Sequence, residues 1–558
     1  MEQLHERERR RTLLLASLAS VLERADEALL PAVYREVGAV LHATPTGLGA
    51  LTLCRSVVQA ACYPLAAYAA ARHDRARVIA VGAFLWAAAT FLVGISDTFL
   101  QIGELAGSDE SRRAHPNGQP GPMNRDTIYT AIVHQCHTVF RNNHLLNLES
   151  MMFDSEADER IEVLQLHSLY CQVAISRGLN GIGLGLVVPS ILSLVADCTD
   201  DATRGSAFGW LQLSSSLGHV TGGFVGLLLA QTTVLGIAGW RVAFHLVAAI
   251  SVLVGTLTWF LAVDPHSRTR HDEPVGIQHV TAREVVAEMV KEARFVVWIP
   301  TFQIFVAQGV SGSFPWTALS FAPMWLELLG FTHDDTAVLM AIFWLARSLG
   351  GVLGGTLGDL LAARYPDSGR IILSQISSGS AVPLAAVLLR GLPDNPTAGV
   401  AYGVVLFVMG VFISWNGPAT NFPILAEIVP YRSRTSVYAL NKSLEAMLSS
   451  FASPLVGKLA QRVYGYEPED EGKSVQLDRR NAESLARALY VAIAIPFVIC
   501  ASIYSFLYCS YPRDRERARM QLLVDSELEQ MDQLGSVYVE DGGKGRAKVS
   551  GSDDGILE

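Results

Sequence analysis

Four ionisable residues sit within five positions of an otherwise apolar run: Glu23, Arg24, Asp26 and Glu27, between Leu22 and Leu29. On a helix, at about 100° per residue, the three carboxylates share an arc of about 100°, with Arg24 at its edge beside Glu27. If that helix crosses a bilayer, each charge near the centre costs roughly 2.5–3.5 kcal/mol, or about 10–14 kcal/mol for the four by simple addition. They must then be paired or face a wet cavity. Three close carboxylates cannot all stay ionised cheaply, and a carboxylate that exchanges a proton near neutral pH is what proton coupling needs. The alternative is an ion-pair cluster that orders helix packing, with Arg55 or Arg177 as partners.

Other polar residues stand in apolar surroundings. Arg55 can pair with these acids or snorkel outward. Arg177 and Asn180 open the fourth apolar stretch. His219 can titrate or donate to a neighbouring carbonyl. Arg347, in Trp344-Leu-Ala-Arg347-Ser, is the clear midplane cation of the second half; it either binds an anionic group of a solute or pairs with an acid of the first stretch. Lys442 and Glu445, three apart, can pair locally. Gly309, Gly312 and Pro315 interrupt the seventh stretch, and Gly417-Pro418 the tenth. Broken helices near the midplane point to a solute path, so Gln303, Gln308, Trp415 and Asn416 become candidate hydrogen-bonding or stacking groups.

The elements that must position these residues follow from composition. The chain has 558 residues, 50% hydrophobic and only 17% charged, with mean hydropathy +0.30. Soluble domains carry about 25% charged residues. A net charge of -10 leaves no electrostatic footprint for nucleic acid. Seven cysteines without a CxxC pair signal no metal or redox site, no GxxxxGK[ST] stretch binds ATP, and no nucleophile constellation stands out. No cofactor, no metal and no enzymatic activity are expected. Spanning a bilayer takes about 20 mostly apolar residues. Twelve such stretches occur, at 12–34, 47–71, 78–99, 173–196, 206–231, 239–262, 295–327, 336–362, 370–390, 398–420, 435–460 and 486–510. The chain is therefore expected to be an all-α membrane protein, with the lipid bilayer as partner. Arg9 to Arg11 followed by Leu13 to Val21 also has the layout of a signal peptide, but no small-x-small cleavage site precedes Glu23, and a retained first helix is expected.

The Lys/Arg bias places Arg7 to Arg11, Arg72, Arg75, Arg77, Arg204, Arg364, Arg370, Arg432, Arg434 and Arg513 to Arg519 on one side, and little beyond Arg35 and Arg390 on the other. Both termini are thus expected in the cytoplasm. Residues 1–262 form one six-helix half and 295–511 the other. Residues 263–294 form a cytoplasmic linker in which Thr281 and Glu284 suggest a capping box before a short surface helix. The tail 512–558 reads as solvated and disordered. Residues 101–172 fit poorly: they are polar, with five histidines and no crossing stretch. Either they form an extramembrane insertion, with Cys136 and Cys171 able to pair on an oxidising side, or they are non-coding sequence translated in frame. The second is favoured. Deleting them joins Gln101 to Val173 tightly, and Ser168-Leu-Tyr-Cys-Gln172 suits a pyrimidine-rich run ending in TGCAG.

Internal repetition adds a further signal. Ala71-Arg-His-Asp74-Arg75-Ala-Arg77-Val78 follows the second stretch; Gly354-Gly-Thr-Leu-Gly358-Asp359, then Gly369-Arg370, follow the eighth. The fourth stretch has Arg177-Gly-Leu-Asn180-Gly181-Ile-Gly183. The fifth has Ser214-Ser-Ser-Leu-Gly218-His219-Val-Thr-Gly222-Gly223, and the sixth opens with Gly239-Trp240-Arg241. Together, in this order, they resemble the major facilitator superfamily, in its plant-type branch, with some similarity to spinster-type lipid transporters. Asn180 stands where the family has Gln and His219 where Pro is usual; Ala71 replaces an acid and Asp74 a Gly.

The resemblance implies two six-helix halves and a secondary transporter that moves a small organic solute by alternating access, with protons as the expected driving ion and a monomer as the working unit. It assigns Arg177 to proton or substrate coupling, and Asp74, Arg75, Arg77, Arg204, Asp359, Arg370, Glu427 and Arg434 to gating loops. The alternatives are a spinster-like carrier of a lysolipid or sphingolipid, and a receptor that binds solute on a transporter fold without moving it.

Overall fold

The computed structural model describes residues 2–33, 36–37, 45–96, 157–230, 232–234, 236–265, 282–319, 321–449, 455–456, 458–467 and 475–546. Lipid offers no partner to backbone N–H and C=O groups, so each crossing segment satisfies them within itself as a helix. The spans of the first half are Glu2–Ala32, Pro45–Arg72, Arg75–Gly94, Ala157–Asp197, Arg204–Ala230 and Gly239–Leu261. Those of the second are Pro300–Leu319 with Ala322–Leu328, His333–Arg364, Gly369–Ala386, Gly399–Ile413 continuing through a wide turn into Phe422–Glu427, Arg434–Ser449, and Val475–Tyr504. A two-residue antiparallel pair, Thr233–Val234 with Ile237–Ala238, closes the turn between spans five and six.

Among the described residues, eight helices are long and apolar enough to cross a membrane, or nine if one pair bent by 86° counts as one. Spans one, two and eleven fall outside that set: span one carries four central charges, span two is made less apolar by Arg55 and Gln59, and span eleven, at 16 residues, is too short.

Packing follows the small residues. Span one lies along span five, spans two and three flank span four, and span three lies on span six. The halves meet where span five crosses span eight and span two crosses span eleven. Span five can lie directly on the backbone of span one because Gly218 and Gly222 are there: a Cβ on either would overlap the carbonyl oxygen of Val21 or Ala25. The serine-glycine run of span five is thus a helix-contact strip.

Several boundaries differ from the expectations. Span one starts at Glu2, because the basic run continues the helix and Arg9 binds Asp200 (2.8 Å) and the Cys198 carbonyl. The linker helix is Ala282–Val297, so residues 295–297 belong to it, and span seven begins after the 86° bend. Thr281 of the suggested capping box lies outside the described residues. Span four begins at Ala157, and Tyr170 and Cys171 are buried in it, Tyr170 against a cluster that includes Leu30, Leu51 and Trp240. Those two residues are part of the folded helix, not of an added segment. Residues 97–156, with Cys136 and most of the segment 101–172, lie outside the described residues.

The tail is a helix, Leu507–Arg546, not an irregular chain. Its Glu, Gln, Arg, Leu and Met content favours helix, and its start is anchored: Asp514 accepts from the Thr301 amide (2.9 Å) and Arg515 pairs with Asp367 (2.5 Å). The helix runs into the Gly-rich stretch at 541–546, and residues 547–558 lie outside the described residues.

Gly218→Val should separate spans one and five. Overpacking of this kind costs about 1–3 kcal/mol, read as a lower thermal unfolding midpoint of the purified protein in detergent. Gly223→Ala, with nothing within 4 Å of the added methyl, should leave that midpoint unchanged or slightly raised.

Candidate functional site

The charged cluster of span one divides between two environments. Glu27 accepts from Arg24 (2.5 Å) on one oxygen and from Arg55 of span two (2.8 Å) on the other; Arg24 also reaches Glu23 at 3.1 Å. Asp26 points into the helix packing. Wholly buried, it accepts from Thr90 of span three (2.5 Å) and Asn180 of span four (2.9 Å), with Arg177 at 3.7 Å. The two arginines considered as partners therefore serve different acids, Arg55 binding Glu27 and Arg177 lying beside Asp26.

Glu23, Arg24 and Glu27 line a cavity of about 380 Å³ between the halves. Leu192 of span four, His219 of span five, Trp316 of span seven, Trp344 and Arg347 of span eight, Phe422 and Lys442 complete much of its wall. A recess of about 160 Å³ adjoins it, sharing Gln212, Trp316, Arg347, Phe422 and Lys442. The Arg347 guanidinium carbon sits over Trp316 (4.7 Å) and Trp344 (5.2 Å), and Trp344 in turn stacks on His219 (5.5 Å). Lys442 pairs with Glu445 (3.0 Å). Gln308 and Asn416 line the recess, Gln308 donating to the Phe305 carbonyl and Asn416 to Ser378.

Two expected cavity residues lie elsewhere. Gln303 is exposed and donates to the Val297 carbonyl (2.9 Å), because Pro300 starts the helix in a phase that turns position 303 outward. Trp415 is buried in a cluster with Leu373 and Ala419 and lies against Gly354, facing span eight rather than the recess.

The end of the bundle that carries the tail is sealed by polar contacts between the halves. Asp197, at the end of span four, has a fully buried side chain that binds both Arg75 and Arg434. Arg75 is held on its other side by Asp264. Asp359 of span eight caps the start of span five, accepting from the amides of Gly205 (2.8 Å) and Ser206 (2.7 Å), and also binds Arg370 (3.1 Å). A Cβ on Gly205 would lie 2.7 Å from both Asp359 Oδ1 and the Gly355 carbonyl, so this contact requires glycine. Arg370 donates to the Asp201 carbonyl (3.3 Å). Glu427 stands 3.7 Å from Arg204 and 3.8 Å from Arg370, and accepts from Tyr511 of the tail helix.

A family model described as the Major Facilitator Superfamily matches residues 162–454, more than half of the chain. The chain belongs to the Major Facilitator Superfamily. A model of the Organic Anion Transporter Polypeptide (OATP) family also matches residues 42–274. The probable sulfoacetate transporter SauU of Cupriavidus necator is 26% identical over 304 residues, 53% of this chain and 67% of that protein. Multidrug resistance protein 1 of Bacillus subtilis is 25% identical over 166 residues, 30% of this chain and 38% of that one, so the chain spans well under half of that relative. Among solved structures, the proton:xylose symporter XylE aligns with TM-score 0.58 and 16% identity, over 89% of this chain and 96% of that one. A bacterial homologue of the human lysosomal transporter Spinster, inward-facing, aligns with TM-score 0.52 and 16% identity, over 91% and 98%. Family and fold together make this an integral, multi-pass membrane transporter of twelve-helix architecture.

Within this superfamily fold, the loop after span two departs from the gating role expected of it. Asp74 caps span three by accepting from the Ala76 amide (2.8 Å). Burial and the nearby Asp264 carboxylate raise its carboxyl above the ordinary range. Arg77 is exposed, over the Trp259 ring. Of the three residues of that loop expected to gate, Asp74, Arg75 and Arg77, Arg75 is the one paired with the acids of the sealed end. Its acids, Asp197 and Asp264, were missed by sequence reasoning. The signal was an aspartate at each end of an apolar stretch that is followed at once by a turn: Ala196-Asp197-Cys and Val263-Asp264-Pro.

Two outcomes follow from these pairings. Asp26→Asn replaces the buried carboxylate that accepts from Thr90 and Asn180 and should lower thermal stability, by about 1–3 kcal/mol. Asp197→Asn removes the carboxylate shared between the halves. Alkylation of Cys198, only 1% exposed beside it, should then accelerate several-fold by peptide mapping, with exposed Cys509 reacting at an unchanged rate.

Proposed function

We propose that this protein is a proton-coupled secondary transporter that carries a small organic solute by alternating access, working as a monomer. The observation that carries the reading is the pair Glu23 and Glu27 on the wall of the central cavity, sharing Arg24, with Arg55 behind. Protonation of one carboxylate frees part of a guanidinium's hydrogen-bonding capacity inside the cavity, so proton binding and the cavity's electrostatics change together. The sealed end, with Asp197, Asp359, Arg370 and Glu427, is the gate. The Lys/Arg bias assigns it to the cytoplasmic side, so this arrangement is read as closed to the cytoplasm. XylE, a proton:xylose symporter, supports coupling of this kind on the same fold. A cavity of about 380 Å³ lies at the lower end of the roughly 300–1,000 Å³ of small-molecule sites, which favours a small solute over a long-chain lipid.

The test uses proteoliposomes loaded with a pH-sensitive dye and exposed to a panel of organic solutes, with acid outside. The active solute should carry protons inward. Glu27→Gln and Glu23→Gln should reduce that proton entry to the level of protein-free vesicles, while solute counterflow, which needs no net proton movement, persists. Proton entry unchanged in both variants would refute the coupling.

A further inference from the structure

Around the cleft, four cations face three carboxylates: Arg24, Arg55, Arg347 and Lys442 against Glu23, Glu27 and Glu445. The pairing is uneven. Glu23 and Glu27 are taken by Arg24 and Arg55, and Glu445 by Lys442. Arg347 is left: among the described residues no carboxylate lies within ion-pair distance of it, and its Nε has no hydrogen-bond partner. It stands at the midplane of span eight, on the wall common to cavity and recess, with indole rings at 4.7 and 5.2 Å. Those rings satisfy the π-faces of the cation but none of its N–H donors. A guanidinium held in this way offers its planar edge, a fork that matches the two oxygens of a carboxylate or sulfonate. A solute bearing one such group supplies the missing negative charge, and Trp316, Trp344 and Phe422 offer flat apolar surface to the rest of it.

We infer that the transported solute is a small organic monoanion, a carboxylate or sulfonate with a compact apolar body, whose anionic group binds Arg347 between Trp316 and Trp344. This rests on the transporter reading above and adds the substrate class to it. The anion then docks on span eight while protons bind the carboxylates of span one, two groups of residues that line the same cavity.

Binding is measured by calorimetry on the purified full-length chain in detergent, with matched probes: benzoate, benzamide and benzylammonium, and phenylmethanesulfonate with its sulfonamide. At least one anion should bind, at least about tenfold tighter than its neutral or cationic partner. Arg347→Gln should weaken that anion at least about thirtyfold, as loss of one partner of a desolvated charge pair does. Arg347→Lys, which keeps the charge and loses the fork, should fall between. Each variant is checked for an unchanged unfolding midpoint, and the wild-type preference decides the matter if neither variant folds. Equal or tighter binding of neutral or cationic probes, binding of no soluble anion while lysophosphatidate binds, or full anion affinity in Arg347→Gln would each overturn the assignment. The two readings fail separately. Anion binding without proton movement in vesicles would sink the coupling and leave the site; proton entry driven by a neutral or cationic solute would do the reverse.

Discussion

The structure depends on a rule of the bilayer: an ion without a counter-ion is expensive there, so the charges decide which helices can stay together. Asp197 is the clearest case, a wholly buried carboxylate that binds Arg75 of its own half and Arg434 of the other. Each partner has a second hold. Arg75 keeps Asp264, and Arg434 keeps the Ala426 carbonyl. Asp359 likewise keeps Arg370 when it leaves the amides of Gly205 and Ser206. Parting the halves therefore breaks contacts between them without stranding a charge inside either, and avoids most of the several kcal/mol that an orphaned buried ion costs.

The same rule explains the cleft. Glu23, Glu27, Arg24 and Arg55 neutralise one another on its first-half wall, while aromatic rings shelter Arg347 on span eight. Rings lower the cost of the cation but leave its donors unused, so the second-half wall keeps a capacity that the first-half wall has spent internally. Charged groups on the two halves that line one cavity can influence one another through its field, because low dielectric strengthens each interaction.

Much of this was legible in the chain. Apolar length located the spans, and the ordered motifs at 71–78, 177–183, 214–223 and 354–370 resembled the right fold. The charge cluster of span one was visible because each charge is improbable where it stands. What the sequence could not resolve was helix phase near breaks. Gln303 and Trp415 were drawn to the cleft by the interruptions beside them, yet a helix that restarts at Pro300, and a wide turn at Asn416–Asn421, rotate the faces that follow or precede. The acids of the sealed end were equally hidden. Asp197 and Asp264 lie far apart in the chain and share Arg75 only because spans three, four and six end at the same level. The tail helix failed for a different reason: its helix-favouring first part was averaged with the Gly- and Ser-rich residues from 541 onward.

Neighbouring residues on span one show how local geometry links the two systems. Asp26 and Glu27 are adjacent in sequence, so their side chains leave the helix about 100° apart. One enters the packing of spans three and four, the other the cleft. Rotating span one to bring Glu27 further into the cleft would draw Asp26 away from Thr90 and Asn180, and the contact of Gly218 and Gly222 with the backbone of span one leaves little room for such rotation by itself. Movement at Glu27 must therefore be carried by the first half as a packed unit. Any displacement of Glu27 would then reach the Asp197 contacts at the far end of span four as a rigid-body shift rather than as a local rearrangement.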